Sequence, residues 1–206
     1  MTTNATPWPD AVTLRGNVVT VEPMRLDHHD GLVDVVRDGE LWNLWYTKIP
    51  AWDGVRADIE RRLGLRAKGS ILPFVIVANA SGRIVGATSY MNIDADNRRV
   101  EIGSTWYAQS VQRTGLNTEC KRLLLAHAFE TLDCLAVEFR TSHFNRASRR
   151  AIERLGAKLD GILRSHQLAP HGSLRDTCVY SIIAAEWPGV RANLDWMLRM
   201  PRSTRS

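Results

Sequence analysis

The segment from residue 71 to residue 107 restricts the fold of this chain more than any other feature of the sequence. It contains three runs rich in β-branched and aromatic residues, ILPFVIVANA, IVGATSYMN and RRVEIGSTWY, separated by the short polar turns SGR and DADN. Such runs are typical of β-strands, and turns of this length join neighbouring antiparallel strands. We therefore predict a three-stranded antiparallel meander in the middle of the chain.

The sequence on either side of the meander predicts helices and further strands. Before it, we expect a short hairpin over residues 12–24 and helices within residues 26–42 and 55–69. After it, we expect a helix over about 117–132, a strand in 134–142, a helix in 145–157, a closing hairpin in 157–184 and a last helix opened by Pro188 and Gly189. This order predicts an α/β fold in which helices flank a central, mostly antiparallel sheet. Residues 1–206 are expected to form a single domain, with flexible ends at 1–10 and 201–206.

Composition argues against several classes of protein. No apolar run approaches the ~20 residues that a membrane span requires, and the start of the chain lacks the features of a signal peptide. We therefore expect a cytoplasmic protein that makes no membrane contact. Cys120, Cys134 and Cys178 are widely separated, which predicts buried, reduced thiols and neither disulfides nor a zinc site. The histidines show no ligand spacing, so we predict no metal.

The net charge of +5 and the isoelectric point near 9.4 favour an acidic partner. Nucleic acid, a membrane surface and a polyphosphate cofactor all have that character, and charge alone does not choose among them. The basic residues are scattered and match no RNA- or DNA-binding motif, so nucleic acid is the less favoured partner.

The loop QRTGLN, residues 112–117, stands directly before the helix that follows the meander. A helix N-terminus offers about four unpaired N–H groups and roughly half a positive charge, and a glycine there leaves room for a phosphate. The loop is neither a Walker A sequence nor a dinucleotide-binding fingerprint. Taken alone, a single glycine before a helix is more often part of an ordinary turn than of an anion site.

Three stretches together resemble the GNAT acetyltransferase superfamily, in particular its RimJ/RimL-like branch. VEIGSTWY is similar to the family's fourth strand, QRTGLN to its pyrophosphate loop, and NRASRRAIERLGA to its asparagine-led helix beside the cofactor thiol. Their order and spacing match as well, over about residues 71–183. The resemblance implies a fold that binds acetyl-CoA, in which the parallel strands 4 and 5 of the family splay apart and the pantetheine arm lies between them.

The resemblance also implies which residues hold the cofactor. These are Thr105, Trp106, Tyr107, Gln112, Arg113, Thr114, Gly115, Leu116, Asn117, Thr118, Asn145, Ser148 and Arg149. Two positions depart from the family pattern, because Asn117 replaces a glycine or alanine and Ile152 replaces a tyrosine that serves as general acid. In the RimJ/RimL-like branch, a serine at the position of Ser148 is a recognised substitute for that tyrosine.

Two features of the asparagine-led helix have a second explanation. Asn145 either holds the pantetheine amide or caps the helix, and the two roles are compatible. The arginines at helical spacing form one basic face, for which exposure to solvent is the favoured explanation and a contact with the 3′-phosphate of CoA the alternative. They are Arg146, Arg149, Arg150 and Arg154.

The chemistry of acetyl transfer requires a base, because an amine attacks a thioester only after it has lost its proton. Glu101, which lies in VEIGSTWY, is our candidate for direct or water-mediated proton removal. The alternative is a surface glutamate that pairs with Arg98 or Arg99. Backbone N–H groups between Thr105 and Tyr107 are expected to stabilise the developing oxyanion. The thiolate leaves with little help, and Ser148 or water then protonates it.

The acceptor amine is the least defined part of the hypothesis. Our candidates for contact with it are Trp42, Trp45, Tyr46, His166 and Tyr180. Core packing is the equal alternative for the first three. Both a protein N-terminus and a small-molecule amine fit. The tryptophan-bearing C-terminal helix is a candidate homodimer interface. The alternative functions are a CoA-binding sensor or scaffold without catalysis and, less favoured, a nucleic-acid-binding module.

Overall fold

The predicted meander forms the centre of one eight-stranded sheet in the computed structural model, which describes residues 8–169 and 172–200. The strand order is β1-β2-β3-β4-β5-β6-β8-β7. Only β5 and β6 pair in parallel, and every other neighbouring pair is antiparallel. The prediction of a mixed, mostly antiparallel sheet is confirmed. The strands are β1 Leu14–Arg15, β2 Val19–Pro23, β3 Ile71–Ala78, β4 Arg83–Asp94, β5 Arg99–Tyr107, β6 Ala136–Ser142, β7 Lys158–Leu168 and β8 Leu174–Ile183.

Helices pack on both faces of the sheet and form two hydrophobic clusters. One cluster joins α1 and α2 to the sheet, and the other contains residues of α3, α4 and α5. Neighbouring residues of β3 divide between them, since Val75 faces the first cluster while Phe74 and Ile76 face the second. The helices are α1 His29–Arg37, α2 Val55–Ala67, α3 Leu116–Ala126, α4 Arg146–Arg154 and α5 Trp187–Arg199. Among the described residues, none of these helices meets the length and apolarity needed to cross a bilayer.

The helix α3 ends earlier than predicted. Its regular part stops at Ala126, and residues 127–131 form a π-helical turn instead of continuing the α-helix to residue 132. The hydroxyl of Tyr90 donates a hydrogen bond of 2.6 Å to the carbonyl of Leu124, just before this turn. A buried side chain that takes one helical carbonyl as its acceptor is a recognised cause of such local irregularity.

Two expectations about side chains can be compared with the structure. Cys120, Cys134 and Cys178 are free and buried, as predicted. In α5, Trp187 packs in the core whereas Trp196 keeps 58% of its surface exposed. The proposed role of this helix as a homodimer interface stays a prediction.

Glu119 connects α3 to the hairpin formed by β1 and β2. Its carboxylate, only 6% exposed, accepts hydrogen bonds from the backbone N–H groups of Asn17, Val18 and Val19, at 2.9, 2.7 and 2.9 Å. Hydrogen bonds to a charged group are among the stronger ones in proteins. The hairpin and the first turns of α3 are therefore held together by one buried anion.

We predict that Glu119→Gln lowers the free energy of unfolding by about 1.5–3 kcal/mol, because a neutral amide cannot satisfy three backbone donors as a carboxylate does. Urea unfolding followed by circular dichroism measures the change. Glu60→Gln is the matched control, since Glu60 is 58% exposed and makes a 3.7 Å ion pair on α2, and it should change stability by no more than about 0.5 kcal/mol. Equal effects of the two substitutions would contradict the structural role of Glu119.

Candidate active site

The two parallel strands separate within the sheet. β5 and β6 pair only over residues 99–101 and 136–138, with Glu101 opposite Glu138 as the last pair. β5 nevertheless continues to Tyr107, and β6 continues to Ser142. Beyond Glu101 the edge of β5 that faces β6 therefore has no strand paired with it. The predicted splay of strands 4 and 5 of the family is confirmed, and those strands are β5 and β6 of this chain.

A β-bulge lies in the part of β5 that is paired with β4 but no longer with β6. Ser104 and Thr105 together oppose the single residue Thr88 of β4, and Ser104 has a φ of +49°. Thr105 Oγ1 lies 2.8 Å from Thr88 Oγ1 and accepts a 2.7 Å hydrogen bond from Nζ of Lys121 on α3. Burial lowers the pKa of Lys121 to about 8. A buried cation on α3 thus fixes the bulge, a feature that often re-aims backbone groups beside functional sites.

Glu101, the predicted base, is buried beside the point where the strands separate. Its side chain accepts a 2.6 Å hydrogen bond from Nδ2 of Asn92, and Nε of Arg140 lies 3.7 Å from Oε2. Burial raises the pKa of Glu101, against the opposing effects of Arg140 and Asn92. The alternative of a surface glutamate is wrong, because only 6% of the residue is exposed.

The arginines named in that alternative have other partners. Arg98 pairs with Asp133, and Arg99 donates a 2.7 Å hydrogen bond to Glu138. Glu138 also accepts hydrogen bonds of 3.1 and 2.9 Å from Arg140. Of the two carboxylates at the separation point, Glu138 is therefore neutralised by two guanidinium groups, whereas Glu101 is held mainly by an amide.

The predicted phosphate loop follows β5 after a short 3-10 turn at Gln109–Val111. Nε2 of Gln112 donates a 3.1 Å hydrogen bond to the carbonyl of Tyr107, which fixes the loop to the strand. Arg113 has a φ of +62°, and Thr114 Oγ1 donates a 2.6 Å hydrogen bond to the carbonyl of Val111. Leu116 then begins α3, so its first backbone N–H groups lie at this loop.

Gly115 has neither of the two usual structural reasons for being glycine. Its φ of −68° is open to any residue, and a Cβ added there would meet no other protein atom within 4 Å. The position directly before α3 is therefore open. This observation fits an anion site better than an obligatory turn.

The second helix of the predicted cofactor site, α4, begins at Asn145. Its Oδ1 accepts a 3.0 Å hydrogen bond from the N–H of Ser148, so the predicted N-cap is confirmed. The side chains of Asn145 and Ser148 are both half-buried. Ile152, at the position of the family tyrosine, is buried in the core and has no proton to donate.

The basic face of α4 is only partly a solvated surface. Nε of Arg149 donates a 3.0 Å hydrogen bond to the hydroxyl of Tyr180, which donates in turn to Glu153 at 2.7 Å. Arg154 donates 3.2 Å hydrogen bonds to Thr118 in the first turn of α3. Tyr180 is fully buried, so the residue predicted to contact the acceptor instead anchors α4 to β8.

The remaining acceptor candidates lie in three different places. Trp45 and Tyr46 line a narrow pocket together with Phe144 and Arg175. Trp42 packs against the cluster beneath α1 and α2. His166 lies on β7 with Nδ1 3.1 Å from Thr177 Oγ1, outside the lining of that pocket.

Sequence reasoning missed Arg175 and Phe144. Phe144 lies two residues after the end of β6, in the turn before α4. Arg175 lies two residues before Thr177, which pairs with Ser142 at the end of β6. The period-two pattern of β8 could have placed Arg175 on the face of Thr177, but only if the pairing of β8 with β6 had been known.

Comparison with known proteins identifies the family. A model of the acetyltransferase (GNAT) domain matches residues 19–158. The chain belongs to the GNAT acetyltransferase family. The match contains the separated strands, the loop before α3 and all of α4.

Proteins similar to this GNAT protein include named N-acetyltransferases. YdaF of Bacillus subtilis (strain 168), named provisionally as a ribosomal N-acetyltransferase, is 34% identical over 108 residues, which are 52% of this chain and 58% of YdaF. The aligned part therefore spans less than two thirds of that relative. A GCN5-related N-acetyltransferase from Brucella melitensis is 29% identical, with a TM-score of 0.82 over 98% of this chain and 93% of its own.

The fold is also that of Mycobacterium smegmatis RimJ, whose structure was solved in complex with CoA-disulfide. The TM-score is 0.76 at 23% identity, over 94% of this chain and 97% of RimJ. At this level of identity the likeness shows a shared fold. The match to the GNAT domain makes the protein an N-acetyltransferase by family, and its place in the RimJ/RimL-like branch stays a prediction.

Proposed function

We propose that this GNAT protein transfers the acetyl group of acetyl-CoA to a primary amine, with Glu101 as the general base. The observation that carries the proposal is the position of Glu101 at the last paired residue of β5, where the strands begin to separate. A buried carboxylate with a raised pKa therefore lies at the closed end of the gap. Perturbed groups of this kind are frequent at functional sites.

The residues present fit the cofactor. The unpaired edge of β5 offers backbone donors and acceptors to an extended ligand, in the way that a sheet edge accepts an additional strand. The open space at Gly115 and the N-terminus of α3 suit a pyrophosphate. We assign the cofactor to residues 105–107 of β5, residues 112–118 of the loop and α3, and Asn145, Ser148 and Arg149 of α4.

Bound acetyl-CoA supplies an activated acetyl thioester, and the side chains around it manage the protons. Glu101 accepts the proton of the incoming ammonium group, and its raised pKa makes it a stronger base than an exposed glutamate. Asn92 holds the carboxylate in place through its 2.6 Å hydrogen bond. Backbone N–H groups between Thr105 and Tyr107 stabilise negative charge on the carbonyl oxygen, and Ser148 is the proposed proton donor to the thiolate.

A valine at position 115 tests the phosphate loop. We predict that Gly115→Val weakens acetyl-CoA binding at least tenfold, because its methyl groups would occupy the space assigned to the pyrophosphate. The free energy of unfolding should change by no more than about 1 kcal/mol. Gly189→Val is the control, because Gly189 lies near the start of α5 and a Cβ added there would likewise meet nothing beyond its chain neighbours and its own helix backbone within 4 Å. Calorimetric titration that gives equal affinities for the two variants would contradict the assignment.

Substitution of the base tests the chemistry. We predict that Glu101→Gln lowers kcat/KM by about 10²- to 10⁴-fold while acetyl-CoA affinity stays within about threefold of that of the native protein. The defect should shrink as the pH rises, because more of the acceptor is then already deprotonated. In the native protein, kcat/KM should fall as the pH falls through the raised pKa of Glu101, where the carboxylate takes up a proton.

Glu138→Gln is the control for that experiment, since Glu138 lies opposite Glu101 but already binds two arginines. It should reduce kcat/KM much less than Glu101→Gln. Thiol release over a panel of amines supplies the rates, and a thermal shift with acetyl-CoA shows that each variant is folded. Normal turnover by Glu101→Gln at neutral pH would exclude Glu101 as the base. Binding without turnover by the native protein would support the sensor or scaffold alternative.

A further inference from the structure

Arg175 on β8 is a half-buried cationic group that the proposed transfer chemistry does not use. Its Nε is buried and has no hydrogen-bond partner within residues 8–169 and 172–200. Arg140, by contrast, has both Glu138 and Glu101 beside its guanidinium. A buried donor without an acceptor is costly, so an unsatisfied one suggests a ligand that supplies the acceptor.

The sheet register places Arg175 on the same face as the proposed base. Glu101 is opposite Glu138 on β6, and Ser142 of that same face is opposite Thr177 of β8. Arg175 lies two residues before Thr177, so its side chain emerges on this face too. Burial lowers the pKa of Arg175 and the Glu101 carboxylate opposes that effect, which puts the two groups within electrostatic reach of each other.

The pocket that Arg175 lines combines positively charged side chains with apolar walls. Its described lining contains two cations, Lys48 and Arg175, and no acidic side chain. Its walls include the aromatic rings of Trp45 and Phe144, whose centroids are 5.4 Å apart. Leu168 and Leu174 also line it and are largely exposed. Clustered exposed apolar side chains are common at ligand-binding surfaces.

These charges constrain the acceptor. An amine approaches Glu101 as a cation, and the guanidinium on the same face repels it unless the acceptor brings an anion of its own. We propose that the acceptor is an amine that also carries a carboxylate, bound by Arg175, and an apolar group that packs against Trp45 and Phe144. This inference rests on the proposed function, because it assigns the reacting amine to Glu101.

Two kinds of acceptor have this chemistry. A free apolar amino acid has its carboxylate next to the amine, and a peptide with an acidic second residue has it one residue away. Guanidinium and carboxylate form paired, charge-assisted hydrogen bonds in both. The pocket is the same in each case, so matched substrates distinguish the two sources.

The experiment compares acceptors that differ only in the carboxylate. Phenylalanine is tested against phenylalaninamide and phenethylamine, and the dipeptide amide Phe-Asp against Phe-Asn, with acetyl-CoA and thiol release as the readout. We expect at least one carboxylate-bearing acceptor to exceed its neutral counterpart about tenfold or more in kcat/KM. A preference for phenylalanine over its neutral analogues would identify a free amino acid as the acceptor, and a preference for Phe-Asp over Phe-Asn would identify a peptide.

Arg175→Met should remove that preference, so that the ratio of the two kcat/KM values falls about tenfold or more. Arg164→Met is the matched control on the neighbouring strand, because the Arg164 side chain is 83% exposed and pairs with Asp176. It should leave the ratio unchanged. A second readout is independent of turnover: quenching of tryptophan fluorescence by N-acetylphenylalanine should be stronger than by its amide, and Arg175→Met should abolish the difference.

The outcomes separate this inference from the proposed function. Acetylation of amines without any preference for a carboxylate would overturn the role of Arg175 while the proposed function stands. An equal loss on charged and neutral acceptors in Arg175→Met would also overturn it, since the arginine would then act only on Glu101. If no amine is acetylated, the proposed function fails, and equal fluorescence quenching by the acid and its amide would overturn the inference as well.

Discussion

The loss of pairing between β5 and β6 after Glu101 is the constraint on which the rest of the site depends. Two parallel strands that ran together to their ends would satisfy each other's backbone groups and leave no room for a ligand. Here β6 keeps its partner β8 along its whole length, so the sheet remains continuous while β5 is left with an open edge. The ligand gap is thus built into the hydrogen-bond pattern of the sheet and does not require a separate domain.

Buried ionisable groups lie on both faces of β5 near the point where its pairing with β6 ends. On the α3 face, the ammonium of Lys121 donates to Thr105 in the bulge. Glu101 has its carboxylate on the opposite side, beside Asn92 and Arg140. Burial disfavours the charged form of each group, lowering the pKa of the lysine and raising that of the glutamate. Such desolvation works against stability and is typical of residues retained for function.

Helix starts contribute the remaining polar groups. α3 begins at the loop that Gln112 ties to the end of β5, and α4 begins at the N-cap Asn145. Arg154 of α4 donates to Thr118 in the first turn of α3, so the two helices are joined directly. This contact links the last turn of α4 to the first turn of α3, the two helices to which the proposed cofactor site is assigned.

Local patterns in the sequence predicted the elements well, but long-range pairing decided the site. The alternation in residues 71–107 predicted the meander, and the asparagine before α4 predicted its cap. Burial of Glu101 was not evident, because the arginines next to it in sequence are free to pair elsewhere, and Arg99 pairs with Glu138, 39 residues away. The prediction that Tyr180 contacts the acceptor failed for a similar reason. The alternation of side chains along β8 does not show which face of the strand α4 covers. Arg175 became visible only through the register of β8 against β6.

Amide hydrogen exchange measured residue by residue, with and without acetyl-CoA, tests the central claim most directly. If the cofactor lies along the open edge of β5, amides between Ile102 and Tyr107 that exchange rapidly in the free protein should slow at least tenfold on binding. Amides of β3, which is paired on both sides, should change far less. Tight binding of acetyl-CoA with no added protection between Ile102 and Tyr107 would contradict the account, because the ligand would then lie outside the gap between β5 and β6.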